Sequence, residues 1–314
     1  MALSIHTNYS ALTTNTALNK SNSALATNQQ RLGTGLRINS AADDAAGLQI
    51  ATRLNAQSRG MSVAMRNVGD SISLLQTAEG AFSEMTDILQ RMKDLATQSA
   101  NGTNSADDRT ALQSEYDELG KELANIISNT TYAGERLFAG DDGVADGTVG
   151  KFGGADAAAA GAGVAFQIGA TSAETLNVNV IANLTKLVGG TTTGLGSISS
   201  VFVTLAADPT DDVTAGAELS AANASGTIDK VADALDLIGE MRAQFGATIN
   251  RLNHTSNNLA NMKDNTEMAK GRIMDADFAM ESANMSKNSM LMQSGISMLK
   301  QAGQMPGMVM SLLG

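Results

Sequence analysis

Residues 61–96, MSVAMRNVGDSISLLQTAEGAFSEMTDILQRMKDLA, carry the pattern on which the fold turns. Met61, Met65, Val68, Ile72, Leu75, Phe82, Leu89 and Ala96 fall on alternating steps of four and three, with Glu79, Thr86 and Lys93 filling the other positions of that register. Apolar residues recurring in this way lie along one side of a helix. The spacing therefore predicts one long helix with a single packing stripe. At about 1.5 Å per residue it reaches ~60 Å, wider than a compact domain, so its partner must also be long.

The following stretch, SANGTNSADD at 99–108, ends this helix, and Ser105 with Asp108 reads as the cap of a second one. Leu112, Tyr116, Leu119, Leu123 and Ile126 give that second helix a stripe suited to antiparallel packing on the first. From Thr130 the texture changes: thirteen glycines fall between Gly140 and Gly196, and only Asp156, Glu174 and Lys186 are charged between 152 and 207. Leu176, Val178 and Val180 alternate with asparagines, and Val201, Val203 and Leu205 alternate around Phe202 and Thr204, which is strand periodicity. A small β-rich insert is expected over 140–225. Helical periodicity resumes through Ile228, Val231, Leu235, Ile238, Phe245, Ile249, Leu252 and Leu259, broken by Arg242 and Ser256. The fold class expected is mainly α, a long antiparallel helical bundle built from both chain ends around the insert.

The two ends are nearly uncharged: residues 1–35 carry only Lys20 and Arg31, and residues 288–314 only Lys300. Leu291, Gly295, Met298, Ala302, Met305, Val309 and Leu312 form a stripe without a polar residue, while Ala11, Leu18, Leu25 and Leu32 form a thinner one. So little apolar area barely offsets chain entropy, so both ends are expected to be disordered in a lone subunit and to order on assembly. Pro306 should bend or interrupt the last helix. The domain reading is 1–40 and 276–314 as assembling ends, 41–139 and 226–275 as the helical core, and 140–225 as the outer insert.

Composition narrows the function. The 314 residues hold 21 basic and 32 acidic side chains, a net charge of −11 without a Lys/Arg cluster, which argues against nucleic acid as a partner. Cysteine is absent, so thiolate catalysis and Cys-ligated zinc are excluded. The first residues, MALSIHTNYSALTTNTALNK, lack the charged and apolar regions of a secretory signal peptide, and no run of apolar residues is long enough to span a membrane. Export, if it occurs, is expected to use another route.

The runs QQRLGTGLRINSAADDAAGLQIATRLNAQSRGMSVAMRNVGDSISLLQTAEGAFSEMTDILQRMKDLATQSANGTNS and GRIMDADFAMESANMSKNSMLMQSGISMLKQAGQMPGMVMSLLG closely resemble bacterial flagellin, collinearly over about residues 1–140 and 228–314. The resemblance implies a structural subunit, secreted and extracellular, that self-assembles into the flagellar filament for motility. It further implies terminal helices lining the filament's channel, unfolded export through a type III apparatus, an export chaperone on about 275–314, and filament-cap and hook-junction proteins as partners. O-glycosylation of insert Ser and Thr is a family trait. Gln30 to Ala51 matches the segment sensed by a plant receptor kinase, which carries over to Gln30, Arg31, Arg37, Asn39, Ser40, Asp43, Asp44, Gly47 and Leu48. Gln90, Arg91, Leu95 and Glu115 align with the contacts of a vertebrate Toll-like receptor, although Met92-Lys93-Asp94 stands where the family usually has Val-Arg-Glu.

Sharper chemical readings compete poorly with blander ones. A metalloprotease motif, present in some flagellin inserts, needs two histidines four apart, and the only two are His6 and His254. Asp43 with Asp44, and Asp275 with Asp277, suit a divalent cation less well than helix capping or pairing with Arg37, Arg53 or Arg272. The Met-rich last helix lacks the basic flank and aromatic anchors of a membrane-surface helix. No catalytic residue, metal or cofactor is expected. Subunit interfaces are expected at Leu18, Leu25, Leu32, Leu291, Met298, Met305, Val309 and Leu312, with Arg37, Asp43 and Asp44 setting register through polar contacts and Gly47 permitting close subunit approach. Two alternatives share parts of the pattern: a monomeric coiled-coil effector or adhesin, which would not need uncharged tips, and a hook–filament junction protein.

Overall fold

The structure is a computed structural model that describes residues 8–138, 150–152, 163–189, 195–200, 202 and 216–313. In chain order the elements are α1 (Tyr9–Thr34), α2 (Ala45–Ser99), α3 (Ala106–Asn129), β1 (Thr131–Tyr132), β2 (Glu135–Arg136), β3 (Val164–Gln167), β4 (Thr175–Val178), α4 (Ile181–Gly189), α5 (Leu195–Ile198), α6 (Ala224–Met274) and α7 (Phe278–Leu313). They fall into two compact units, a core unit of residues 60–261 and a terminal unit of residues 1–59 and 262–314.

The core unit buries α2, α3 and α6 against one another, but in a register one residue from the expected one. Along α2 the buried seam positions are Met61, Ala64, Val68, Ser71, Leu75, Ala78, Phe82, Met85, Leu89, Met92, Ala96 and Ser99, with Leu74 and Leu95 buried beside them. Every second expected position was thus displaced: Met65 and Ile72 only flank the core, and Glu79, Thr86 and Lys93 lie beside the seam rather than interrupting it. On α6 the same offset replaces Ile228, Leu235, Arg242 and Ile249 by Thr227, Ala234, Met241 and Thr248. The physical reason is shared. At Ala64, Ser71, Ala78, Thr227, Ala234 and Thr248 small residues let helix axes approach, and at Met85, Met92 and Met241 the seam takes the apolar residue and leaves Thr86, Lys93 and Arg242 outside it. Two seam hydroxyls bond within their own helices, Ser71 Oγ donating to Asn67 O (2.6 Å) and Thr248 Oγ1 to Gln244 O (2.7 Å), while Ser99 Oγ donates to Leu219 O (2.6 Å) and Thr227 Oγ1 to Glu218 O (3.0 Å) on the returning chain.

At the centre four phenylalanines meet: Phe82 lies 4.8 Å from Phe138 and 5.7 Å from Phe245, and Phe152 packs on both Phe138 and Phe245 (ring centroids). Helix α3 starts at the expected capping box, with Asp108 N donating to Ser105 Oγ and Ser105 N to Asp108 Oδ2. A hairpin follows, in which β1 and β2 join through Ala133 (φ 54°) and Gly134 (φ 85°), the two positive angles of a tight primed turn.

In the insert β3 and β4 pair antiparallel with Phe166 opposite Leu176, and the alternation of Leu176, Val178 and Val180 points inward as expected. The insert is less β-rich than expected, because the described residues also form α4 and α5, where Leu184, Leu187, Leu195 and Ile198 are buried. Of the second expected strand, 201 and 203–205 lie outside the described residues, and Phe202 is helical and buried. A polar knot fastens the returning chain. Gln113 Nε2 donates to Asp117 Oδ1 (2.7 Å) and Glu218 Oε2 (2.8 Å), and Gln113 Oε1 accepts from Leu219 N (2.7 Å). Burial raises the Asp117 carboxyl above its ordinary pKa, and the nearby Glu218 charge adds to this. Tyr116 beside it is pushed up by the same burial and donates to Ile198 O (2.7 Å). Each of these groups has its partner in the backbone or in another knot residue, so the cluster fastens the fold.

Candidate assembly interface

In the terminal unit α1 and α7 pack on one another. Helix α1 is rich in Ser, Thr and Asn, yet its threonine hydroxyls are satisfied inside the helix: Thr13, Thr14, Thr16, Thr27 and Thr34 each donate to a carbonyl four residues back. Asn8 caps its start through Ala11 N and reaches across to Ala302 O (2.6 Å), and Gly35 closes it in the left-handed conformation at φ 71°. On α7 the seam runs through Glu281, Met285, Asn288, Met292, Gly295, Leu299 and Ala302, all buried or half-buried. Gly295 allows the close approach: a Cβ there would come within 3.0 Å of Leu18 Cδ1. The helix continues through Pro306 to Leu313, where a bend or an interruption was expected, so the interruption does not occur.

A polar network that the sequence reading missed sits in this seam. Arg31 donates to Glu281 Oε1 (3.1 Å), and with its amide nitrogen turned to the carboxylate Asn28 donates to Glu281 Oε2 (3.1 Å) and accepts from Asn288 Nδ2 (3.1 Å). Its signal was available: Asn28 lies three residues after Leu25 and four before Leu32, a seam position. Leu18, Leu25 and Leu32, expected at the subunit interface, are half-buried on this same register, and Leu18 packs beside Gly295 within the chain.

What the pair leaves uncovered is more telling. Of the twelve large hydrophobics exposed among the described residues, eleven are in the terminal unit and one, Val63, is in the core unit. Beyond the seam α7 carries two apolar flanks, Met280, Leu291 and Met298 on one and Phe278 with Ile296 on the other, while α1 exposes Tyr9 and Leu12. Of the expected interface residues on α7, Leu291 and Met298 are exposed, and the side chains of Met305, Val309 and Leu312 lie outside the described residues. The terminal unit's fully buried apolar residues are only Ile38, Ala51 and Ala302 among those described.

Two connectors stitch the terminal unit together. Arg37 N donates to Met274 O (2.7 Å), Ala276 N to Gly35 O (3.0 Å), and the Arg37 guanidinium to Ile273 O (2.9 Å). Asp43 Oδ2 accepts from Asn39 N, Ser40 N and the Ser40 hydroxyl, and these bonds, those of Ser40 first, hold its carboxyl below the ordinary value. Asp44 Oδ1 accepts from Gly47 N (2.8 Å) at the start of α2, and Asp277 Oδ1 accepts from Ala279 N and Met280 N at the start of α7. These carboxylates are caps and turn pins. Gly47, expected to permit close subunit approach, is buried under its own loop, where a Cβ would strike Asp44 and Ile38. An open groove lined by Asp264, Glu267, Met268, Gly271, Arg272 and Asp275 to Asp277 lies beside the connector. The described residues contain no group of three or more His, Asp or Glu able to hold a metal ion.

Replacing Asp43 and Asp44 together by alanine is expected to loosen the connector and weaken filament formation, the loss of the Asp44 cap alone costing α2 about 1 kcal/mol. The Asp43 contribution is present above the ordinary carboxylate pKa and is lost as pH falls through its lowered folded value. Thermal unfolding across that acidic window should be steeper for the native chain than for Asp43→Ala. Equal pH dependence would dismiss the pin.

The N-terminal helical region of bacterial flagellin matches residues 5–142, and the C-terminal helical region matches residues 228–313. The chain belongs to the bacterial flagellins. Flagellin A of Vibrio anguillarum is 38% identical over 384 aligned positions that cover all of both chains, and flagellin A of Vibrio cholerae serotype O1 is 36% identical with the same coverage. A Vibrio parahaemolyticus structure described as flagellar hook-associated is similar in fold, with a TM-score of 0.55 at 15% identity, covering 74% of this flagellin and 100% of that chain. This flagellin is a structural, non-enzymatic subunit that polymerises into the extracellular flagellar filament. No described helix of it is long and apolar enough to cross a membrane.

The receptor positions implied by the family divide in this flagellin. Arg91 Nε and NH2 both donate to Glu115 Oε1 (2.9 and 2.6 Å), forming an exposed pair between α2 and α3 beside exposed Gln90. Leu95, expected as a contact, is 1% exposed and belongs to the core beneath them. In the 30–51 run Gln30, Arg37, Ser40, Asp43 and Asp44 are exposed, Arg31, Asn39 and Leu48 half-buried, and Gly47 buried.

Proposed function

We propose that the two flanks of α7, with the outer face of α1, are the surfaces through which copies of this flagellin join. The observation that carries the reading is the concentration of exposed apolar side chains on the one unit that lacks an apolar core of its own. Water-exposed apolar area of this kind is relieved by burial against a neighbour, and two flanks on one helix let each pair touch neighbours on both sides. Seeded polymerisation tests it. Leu291→Glu with Met298→Glu should leave the helical content of the subunit intact and abolish elongation, whereas elongation at the native rate would refute the placement.

The finer family traits fit the same surface. Export in an unfolded state suits ends held by so little burial, a chaperone on 275–314 would cover the α7 flanks before assembly, and cap and hook-junction proteins would meet them at the filament's ends. Immune receptors would read the 30–51 connector and the Gln90, Arg91 and Glu115 face on free subunits. Receptor-reporter cells that answered intact filaments as strongly as dissociated subunits would overturn that last reading.

A further inference from the structure

This chain has no cysteine, so methionine is its only sulfur, and its seventeen methionines are divided by environment. In the core unit Met61, Met85, Met92 and Met241 are at most 1% exposed. On α7 Met280 and Met298, on one flank of the α1 seam, are 63% and 57% exposed, and Met290, on the side opposite the seam, is 65% exposed. Thioether oxidation follows access of the oxidant to the sulfur lone pair, so the two groups differ in reactivity as well as in packing.

We infer that Met280, Met290 and Met298 form a peroxide-sensitive modification site that gates polymerisation. In a free subunit the sulfur lone pair attacks one oxygen of hydrogen peroxide, the O–O bond breaks, the sulfur gains that oxygen as a sulfoxide, and the remaining oxygen leaves as water. The thioether is oxidised by two electrons and the peroxide reduced. The flank then presents a strongly polar, hydrogen-bond-accepting group where a neighbour offers apolar surface, and burying it without a donor is unfavourable. Within a filament the same sulfurs are covered and protected. Oxidant would thus disable loose subunits while sparing those already incorporated, and sulfoxide reductases would return the former to use. The inference rests on the reading that neighbours cover the α7 flanks.

The test treats full-length subunits and intact filaments with hydrogen peroxide, maps added oxygen by peptide mass spectrometry, and measures seeded elongation. In subunits the three α7 methionines should be oxidised while Met61, Met85, Met92 and Met241 stay reduced. Elongation should be lost, then restored by methionine sulfoxide reductases of both stereospecificities. In a Met280→Leu, Met290→Leu, Met298→Leu variant, whatever its own starting rate, elongation after peroxide should equal elongation before it. Oxidised native subunits that elongate normally, or a triple variant that peroxide still arrests, would overturn the gate. Should the variant fail to fold, peptide mapping of partly oxidised native subunits decides: loss of elongation must follow sulfoxide at Met280, Met290 and Met298, and loss that follows sulfoxide at the exposed Met268 instead overturns the gate. If the three sulfurs oxidise as fast in filaments as in subunits, the reading of covered flanks fails, and the gate with it. Protection in filaments together with normal elongation of oxidised subunits would overturn the gate only.

Discussion

Truncating Phe82 to alanine should destabilise the core unit by about 3–5 kcal/mol, the range for removing a large buried ring. The ring is 1% exposed and lies in the C-terminal half of α2, touching Phe138 beyond the hairpin and Phe245 on α6. Three chain segments distant in sequence therefore meet on one side chain. The chain has seven phenylalanines and no tryptophan, four of them are in this cluster, and most of the seam around it is Ala, Ser, Thr, Leu and Met. A void left there has no large neighbour to collapse into it, which favours the upper part of the range. Urea unfolding followed by circular dichroism gives the shift directly. Leu291→Ala, on an exposed flank, should change the same midpoint hardly at all. A Phe82→Ala cost under about 1 kcal/mol would mean that the cluster is not the keystone of the core.

The comparison of Phe82 with its neighbours also shows how the fold could be read from sequence and where reading stopped. Positions 61, 68, 75, 82, 89 and 96 belong to both the expected and the observed stripe, so helix existence, direction and extent were legible from spacing alone. The alternate positions were not. A pattern search weights apolarity, and at 64, 71 and 78 the seam uses Ala, Ser and Ala where the flank at 65 and 72 uses Met and Ile. Close packing is a property of two helices, whereas apolarity is a property of one. On α7 the stripe through Leu291 and Met298, expected as a face that wants a partner, lies exposed beside the seam that runs through Met292 and Leu299. The caps at Ser105 and Asp44 were legible because their signals are local. The Gln113 knot and the Asn28, Arg31 and Glu281 network were not, because each joins residues about a hundred or more positions apart.

Deleting residues 1–34 should abolish seeded elongation while leaving the thermal unfolding of the core unit unchanged, and amide exchange should show why. Helix α1 buries one residue fully, the polar Asn28, and the seam it shares with α7 rests on half-covered Leu, Met, Ser and Thr side chains and one polar network. Isolated helices are marginal, and this pair adds little apolar burial to hold them. Opening the pair should therefore cost only a few kcal/mol, so α1 amides in dilute subunits should be protected by roughly 10²-fold or less, while core-unit amides approach the full stability of a domain, about 5–15 kcal/mol. In the filament, burial of Tyr9, Leu12 and both α7 flanks adds area on every side of the pair, and α1 protection should rise toward that of the core unit. Strong protection of α1 in dilute monomer would instead make the terminal unit self-sufficient. Its exposed Met, Leu and Phe side chains would then need an explanation other than the neighbour they lack.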